Sequence, residues 1–123
     1  MSFIFLLNLV LSFIAVGLIW TIQLVHYPSM KFIPKERFVE YHNFHSTRIS
    51  FLAMPLMLAE LVTSLMLFYQ NFNNAIQTIF LANLIIVVLI WVSTFLIQVP
   101  LHNAISKEKN TKKLFKLICT NWI

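Results

Sequence analysis

The four histidines of this 123-residue chain are the residues best suited to chemistry, and each lies near the end of a long apolar run. His26, His42 and His45 fall within residues 23–48, and His102 follows the last apolar run. Imidazole binds transition metals, and it accepts or donates a proton near neutral pH. The spacing therefore favours proton transfer or metal binding, provided that the fold brings the four rings together.

Other polar side chains share these positions and predict a ligand-binding pocket. Arg48 could hold a phosphate or carboxylate by paired hydrogen bonds. One helical face carries a polar stripe of Trp91, Thr94, Gln98 and, less closely in phase, His102. Interhelical hydrogen bonds that hold a bundle together would explain such a stripe equally well. The predicted ligand-binding residues are Gln23, His26, Tyr27, Tyr41, His42, His45, Arg48, Trp91, Gln98, His102 and Asn103.

The same histidines are candidates for a metal or haem site. His42 and His45 are three residues apart on one helical face, and His26 and His102 could complete a transition-metal site. A haem with axial ligands from His26 and His102 is a second candidate. Against both, the chain has no aspartate and no clustered cysteine, and interfacial histidines are commonly satisfied by water and backbone.

Glu60 is a single carboxylate within an apolar run, and we count it with His26 and His102 as a candidate catalytic residue. It lies twelve residues beyond Arg48, about 18 Å along a helix and near the middle of a bilayer. Ionisable residues at such depth are usually functional or paired. Its candidate partners are Thr63, Ser64 and Trp91, and a purely structural hydrogen-bonding role is the alternative.

The apolar runs that carry these residues predict an all-α integral membrane protein with a single domain, residues 1–123. Hydrophobic residues make up 59% of the chain and charged residues 11%, whereas soluble proteins average about 25% charged. Pro28 should end the first membrane helix and Pro55 should kink the second, with Pro100 near the end of the third. The predicted transmembrane helices are 3–27, 47–69 and 75–99, with an interfacial helix at 35–46 and an amphipathic C-terminal helix at 108–123.

The distribution of positive charge predicts the orientation. All nine Lys and Arg residues lie within residues 31–48 and 107–116, which three spans place on one side of the membrane. The same topology puts all four histidines at one level, at that end of the bundle. The positive-inside rule makes that side cytoplasmic and the N-terminus external. We therefore expect a multi-pass protein of the inner (plasma) membrane, with the bilayer, further copies or other membrane subunits as partners. Because topology explains the charge clusters, no nucleic-acid partner is expected.

Several motifs carry a resemblance to known proteins: QLVHYPSM, YHNFHSTRIS, PLMLAEL, WVSTFLIQVPLHNAI and TNWI. They resemble a group of small bacterial integral membrane proteins, and the VPLHN segment is more distantly similar to the anthrone-oxygenase-like membrane family. The resemblance implies a four-helix protein whose fourth helix begins at TNWI, so that this chain would be a truncated form. It also makes His26, His102 and Trp122 the positions to suspect in an oxygenase.

Three functions remain open from the sequence. The first is binding of a small lipophilic or anionic ligand, or assistance to a redox reaction, in a cytoplasm-facing pocket lined by His, Gln and Arg. The second is a cofactor-free oxygenase or isomerase that acts on a lipophilic aromatic substrate. The third is a structural or accessory membrane subunit. A phosphate-binding glycine loop is excluded, because Gly17 is the only glycine.

Overall fold

The computed structural model describes residues 2–107 and 111–121, and within them the protein is an all-α bundle without strands. The three long helices are apolar and long enough to cross a membrane, as predicted. The fourth helix is short. The bounds are Phe3–Phe32 for α1, Lys35–Gln70 for α2, Gln77–Ile105 for α3 and Thr111–Thr120 for α4.

In two of the membrane helices a proline follows a π-helical turn, and the helix continues beyond it. These prolines are Pro28 in α1 and Pro100 in α3. In α1 the segment Ile22–His26 is a π-helical turn, in which the Tyr27 amide donates to the Ile22 carbonyl. Thr94–Gln98 in α3 is a second π turn. Proline has no N–H, and its ring crowds the carbonyl four residues earlier, so a wider preceding turn accommodates it. The prediction that Pro28 ends the first helix is therefore wrong, since α1 continues to Phe32.

The predicted interfacial helix is joined to the second membrane helix. α2 runs without interruption through its 36 residues, including Pro55. No glycine or proline separates residues 35–46 from the apolar part, so nothing in the sequence breaks the helix there. At about 1.5 Å per residue α2 is roughly 54 Å long, whereas the hydrocarbon core is about 30 Å thick. The charged first third of α2 therefore extends beyond the membrane interior.

α2 is the central helix and packs against both α1 and α3. Most apolar side chains of the spans remain exposed in the isolated chain, as expected for surfaces that face lipid. The main buried cluster lies at the end of the bundle that carries the histidines, and α4 packs back onto it. Its members are Tyr27, Met30, Phe38, Ile105, Leu114 and Leu117.

The described part of the C-terminal helix has the predicted amphipathic character. Leu114 and Leu117 are buried, while Lys112, Lys113 and Lys116 are exposed. The remaining positions of the predicted helix, 108–110 and 122–123, lie outside the described residues, and so does the suspected Trp122. α4 therefore acts as a fourth packing element at the histidine end of the bundle.

Candidate functional site

Two histidines from different helices form the centre of the site. His42 on α2 and His102 on α3 lie with their rings 5.2 Å apart, and 3.0 Å separates His42 Nε2 from His102 Nδ1. Phe38 also stacks on His42, with ring centroids 5.9 Å apart. His42 is fully buried. We call His42 and His102 the inner pair.

A directional chain of hydrogen bonds runs through the inner pair. The Ser106 hydroxyl donates to the His102 carbonyl at 2.8 Å, so its oxygen is free to accept from His42 Nδ1 at 3.2 Å. His42 Nε2 then accepts from His102 Nδ1, and His102 Nε2 accepts from the Tyr27 hydroxyl at 3.3 Å. This assignment, inferred from the network, satisfies all four ring nitrogens with both imidazoles neutral.

The other two histidines form an outer pair, His26 and His45. Their ring centroids are 4.7 Å apart, and the Tyr41 ring stacks on His45 at 6.3 Å. His26 is partly exposed, whereas only 9% of the His45 surface is exposed to solvent. Within residues 2–107 and 111–121, no hydrogen bond engages a ring nitrogen of either histidine. The outer pair therefore offers nitrogen atoms that a ligand could meet.

The helix architecture explains why all four histidines meet. The π turn of α1 ends at His26, and Tyr27 directly follows it. The unbroken first third of α2 holds His42 and His45 three residues apart on the face toward the bundle. Four residues beyond the π turn of α3, His102 reaches the same level. The histidines predicted to share one level thus come from three helices.

The predicted pocket residues Gln23 and Gln98 contact α4. Gln23 Nε2 donates to the Ile118 carbonyl at 2.7 Å, and Asn121 Nδ2 donates to Gln23 Oε1 at 3.0 Å. Gln98 Nε2 donates to Thr120 Oγ1 at 3.1 Å. These two amides hold the C-terminal helix against α1 and α3. The sequence predicted that both side chains bind a ligand, because the position of α4 in the bundle was not known from sequence.

The remaining predicted ligand-binding residues lie apart from the histidine contacts. The Arg48 guanidinium lies over the Phe44 ring at 5.1 Å. Trp91 stacks on Phe95 at 5.5 Å, and its buried indole N–H has no hydrogen-bond partner in the described ranges. Asn103 is exposed. The structure therefore gathers the histidines with Tyr27 and Tyr41, and within the described residues none of these three side chains has a hydrogen bond or ring contact with a histidine.

Glu60 belongs to a separate polar network within the spans. Its carboxylate Oε1 accepts from the Ser12 hydroxyl at 2.7 Å. Its backbone carbonyl accepts from Thr63 Oγ1 at 3.1 Å and from Asn8 Nδ2 at 3.4 Å. Asn8 Nδ2 also reaches Thr63 Oγ1 and Ser64 Oγ, at 2.8 and 3.1 Å. The partners on α1 were missed, although Asn8 and Ser12 are four residues apart and share one face of an apolar run.

The candidate metal and haem ligands, His26, His42, His45 and His102, meet as two pairs in this arrangement. In the part of the chain that the structure describes, no group of three or more His, Cys, Asp or Glu side chains could hold a metal ion. Both nitrogens of His102 are already engaged, one by His42 and the other by Tyr27. A haem ligand at His102 would require the Tyr27 contact to open.

Comparisons with known proteins add no family. No protein-family model, curated protein or solved structure matches the chain. The function must therefore be argued from the geometry of the histidine cluster.

Proposed function

We propose that this integral membrane protein binds a small lipophilic molecule with an acidic group at the outer histidine pair and exchanges a proton with it. The observation that carries this proposal is the contact between His26 and His45, whose ring nitrogens have no hydrogen-bond partner among the described residues. Imidazole is suited to accept and return a proton near neutral pH.

The surroundings of the outer pair favour an aromatic or amphiphilic ligand. Tyr41 stacks on His45 and continues the aromatic surface away from His26. His26 is partly exposed on a membrane helix, so a molecule dissolved in lipid has a route to it. Beneath the outer pair, the hydrogen bond between His42 and His102 ties α2 to α3 and keeps His45 in register.

The location of the site follows from charge and belongs to the same proposal. The positive-inside rule puts the end of the bundle that carries residues 31–48 in the cytoplasm, and the bacterial inner membrane is the membrane that the motif resemblance implies. The site would then take its ligand from the inner leaflet. Proton exchange would occur with cytoplasmic water.

Two alternatives remain. A cofactor-free oxygenase or isomerase would use the outer pair to remove a proton from an aromatic substrate, as the resemblance to the anthrone-oxygenase-like family implies. Oxygen uptake with anthrone in a metal-free preparation would favour the oxygenase. A structural subunit is favoured by the complete satisfaction of the inner pair. In that case histidine substitutions would lower only stability.

The proposal is tested with β-naphthol, whose absorption differs between the phenol and the phenolate, added to purified protein in detergent. We expect binding with a shift of its absorption toward that of the phenolate. The methyl ether of β-naphthol, which has no acidic proton, should bind without this shift. Replacing His45 by Ala should weaken naphthol binding roughly tenfold, as expected for loss of one hydrogen bond to an ionised group.

Asn43→Ala serves as the matched control, since Asn43 is exposed on the same turn of α2. It should leave the naphthol signal unchanged. Equal binding of β-naphthol by the parent protein, His26→Ala and His45→Ala would overturn the proposal. Variants that fail to fold are recognised by circular dichroism, and His45→Gln then replaces His45→Ala.

A further inference from the structure

A groove of about 500 Å³ lies on the exposed side of the first third of α2. It includes none of the four histidines, and it was not expected from the sequence. The segment before α2 forms one edge, and successive turns of the helix form the floor. The lining residues are Ile33, Pro34, Arg37, Glu40, Tyr41 and Phe44.

The groove presents one positive and one negative side chain next to each other. Arg37 and Glu40 are three residues apart, so they lie on one helical face, and both are exposed. Across residues 2–107 and 111–121, neither side chain has a hydrogen bond or an ion pair with another residue. Both charges are therefore available to a ligand that carries the opposite charges in the same order.

The apolar part of the groove points to a lipid. Phe44 is 63% exposed and Phe32, next to the groove residue Ile33, is 77% exposed. Phe32 ends α1, and Phe44 lies in the charged first third of α2. Because α2 is longer than the hydrocarbon core is thick, we expect both residues to lie near the point where α2 leaves the membrane interior. Aromatic residues concentrate at this level. The groove thus combines free charges with apolar surface at the depth of the phospholipid headgroups.

We propose that the groove binds the headgroup of a zwitterionic phospholipid that carries a primary ammonium. Its phosphate contacts Arg37, because a guanidinium pairs with phosphate oxygens through two parallel hydrogen bonds. Its ammonium donates to the Glu40 carboxylate, and its acyl chains lie along Phe32 and Phe44. An anionic headgroup without the ammonium leaves Glu40 unpaired, and a choline headgroup has no N–H to donate. The proposal does not depend on the proton exchange at the histidines.

Native mass spectrometry of the purified protein tests this inference. The protein is equilibrated in detergent with equal amounts of phosphatidylethanolamine, phosphatidylglycerol and phosphatidylcholine, and the retained lipid is identified. We expect phosphatidylethanolamine to be retained preferentially. Arg37→Gln should lower its retention roughly tenfold, as expected for loss of a charge-assisted contact. Glu40→Gln should remove the preference over phosphatidylcholine.

Lys35→Gln and Glu36→Gln are the matched controls, since they make the same charge changes on exposed positions of the same helical turns outside the groove. They should leave the lipid preference intact. Equal retention of the three lipids by the parent protein would overturn the proposal, and so would equal losses in the groove variants and the controls. All four positions are exposed, and circular dichroism verifies that each variant folds.

Discussion

His42 Nε2 lies 3.0 Å from His102 Nδ1, and this contact joins α2 to α3 at the same end of the bundle as the outer pair. The contact is one link of the chain from Tyr27 to Ser106, whose hydrogen bonds all point in one direction. A change at either end of the chain should therefore be felt by both histidines.

Replacing Tyr27 by Phe should destabilise the protein. The change removes the hydroxyl that donates to His102 Nε2 and leaves that nitrogen without a partner. Water cannot easily replace the hydroxyl, because Tyr27 is only 3% exposed. An unsatisfied buried polar group costs about 1–3 kcal/mol. Thermal unfolding in detergent measures the loss. Tyr41→Phe should be nearly neutral, because no described residue pairs with the Tyr41 hydroxyl; equal losses in both variants would contradict the proposed chain.

Replacing Ser106 by Ala should cost stability at the other end of the chain. His42 Nδ1 loses its acceptor, and we expect a decrease of about 1–3 kcal/mol in the free energy of unfolding. Ser50→Ala is the control. Ser50 makes the same local bond to a carbonyl four residues earlier, at 2.7 Å, but its hydroxyl accepts no hydrogen bond from another helix in the described part of the chain. Denaturant titration should show a lower free energy of unfolding for Ser106→Ala and no change for Ser50→Ala.

Asn8→Leu tests the polar network around Glu60. The Asn8 amide nitrogen lies within hydrogen-bond distance of three acceptors on α2, whereas among the described residues Asn83 donates to Ser64 alone, at 3.0 Å. Interhelical hydrogen bonds in membranes average about 0.6 kcal/mol and reach about 1.7. Asn8→Leu should therefore lower stability by about 1–2 kcal/mol and Asn83→Leu by less. A larger loss for Asn83→Leu in steric-trapping or thermal measurements would refute this ranking.

Leucine at both Gln23 and Gln98 should release α4. The two amides hold Ile118, Thr120 and Asn121, and they complement the apolar packing of Leu114 and Leu117. Amide hydrogen exchange in residues 111–121 should become faster, while exchange in the apolar part of α2 stays slow. Gln70→Leu, at an exposed site on the opposite end of α2, provides the control. Unchanged exchange in the double variant would show that the amide bonds do not hold α4.

Cysteine labelling tests the proposed orientation. Cys119 is the only cysteine and is first replaced by serine. A cysteine placed at Asn73, in the turn between α2 and α3, should react with a membrane-impermeant maleimide on intact cells. A cysteine at Lys35 should react only after permeabilisation. The reverse pattern would place the histidine cluster outside.

The sequence was sufficient for the spans and for the meeting of the histidines. Apolar lengths located three helices that could span a membrane, and helix ends have to alternate sides, so His26, His42 and His102 were expected at one level. Individual pairings were less accessible. Whether Gln23 faces a ligand or the Ile118 carbonyl depends on the tertiary position of α4, which amphipathic periodicity alone does not define.

The local effects of proline were also beyond sequence reasoning. Pro28 could end a helix or be absorbed by a wider turn, and the choice depends on the packing around it. Ser106 was overlooked because a serine near the end of a helix is usually solvated, and only the position of His42 gives it a partner. Asn8 and Ser12 carried a readable signal, namely two polar residues at helical spacing in an apolar run.

The π turns of α1 and α3 change which residues face the bundle: the helical periodicity before each turn is offset from the periodicity after it. A π turn contains one residue more than the hydrogen-bonded turn of an α-helix, which corresponds to about 100° of rotation. Deleting one residue from Ile22–His26 would let this turn become α-helical with Tyr27 still facing His102, whereas a deletion elsewhere between Ser12 and Ile22 would rotate Tyr27 relative to Asn8 and Ser12. Each turn is thus equivalent to a single-residue insertion. Any alignment of this chain with an uninterrupted helix needs a one-residue gap there, or every residue beyond it is assigned to the wrong side.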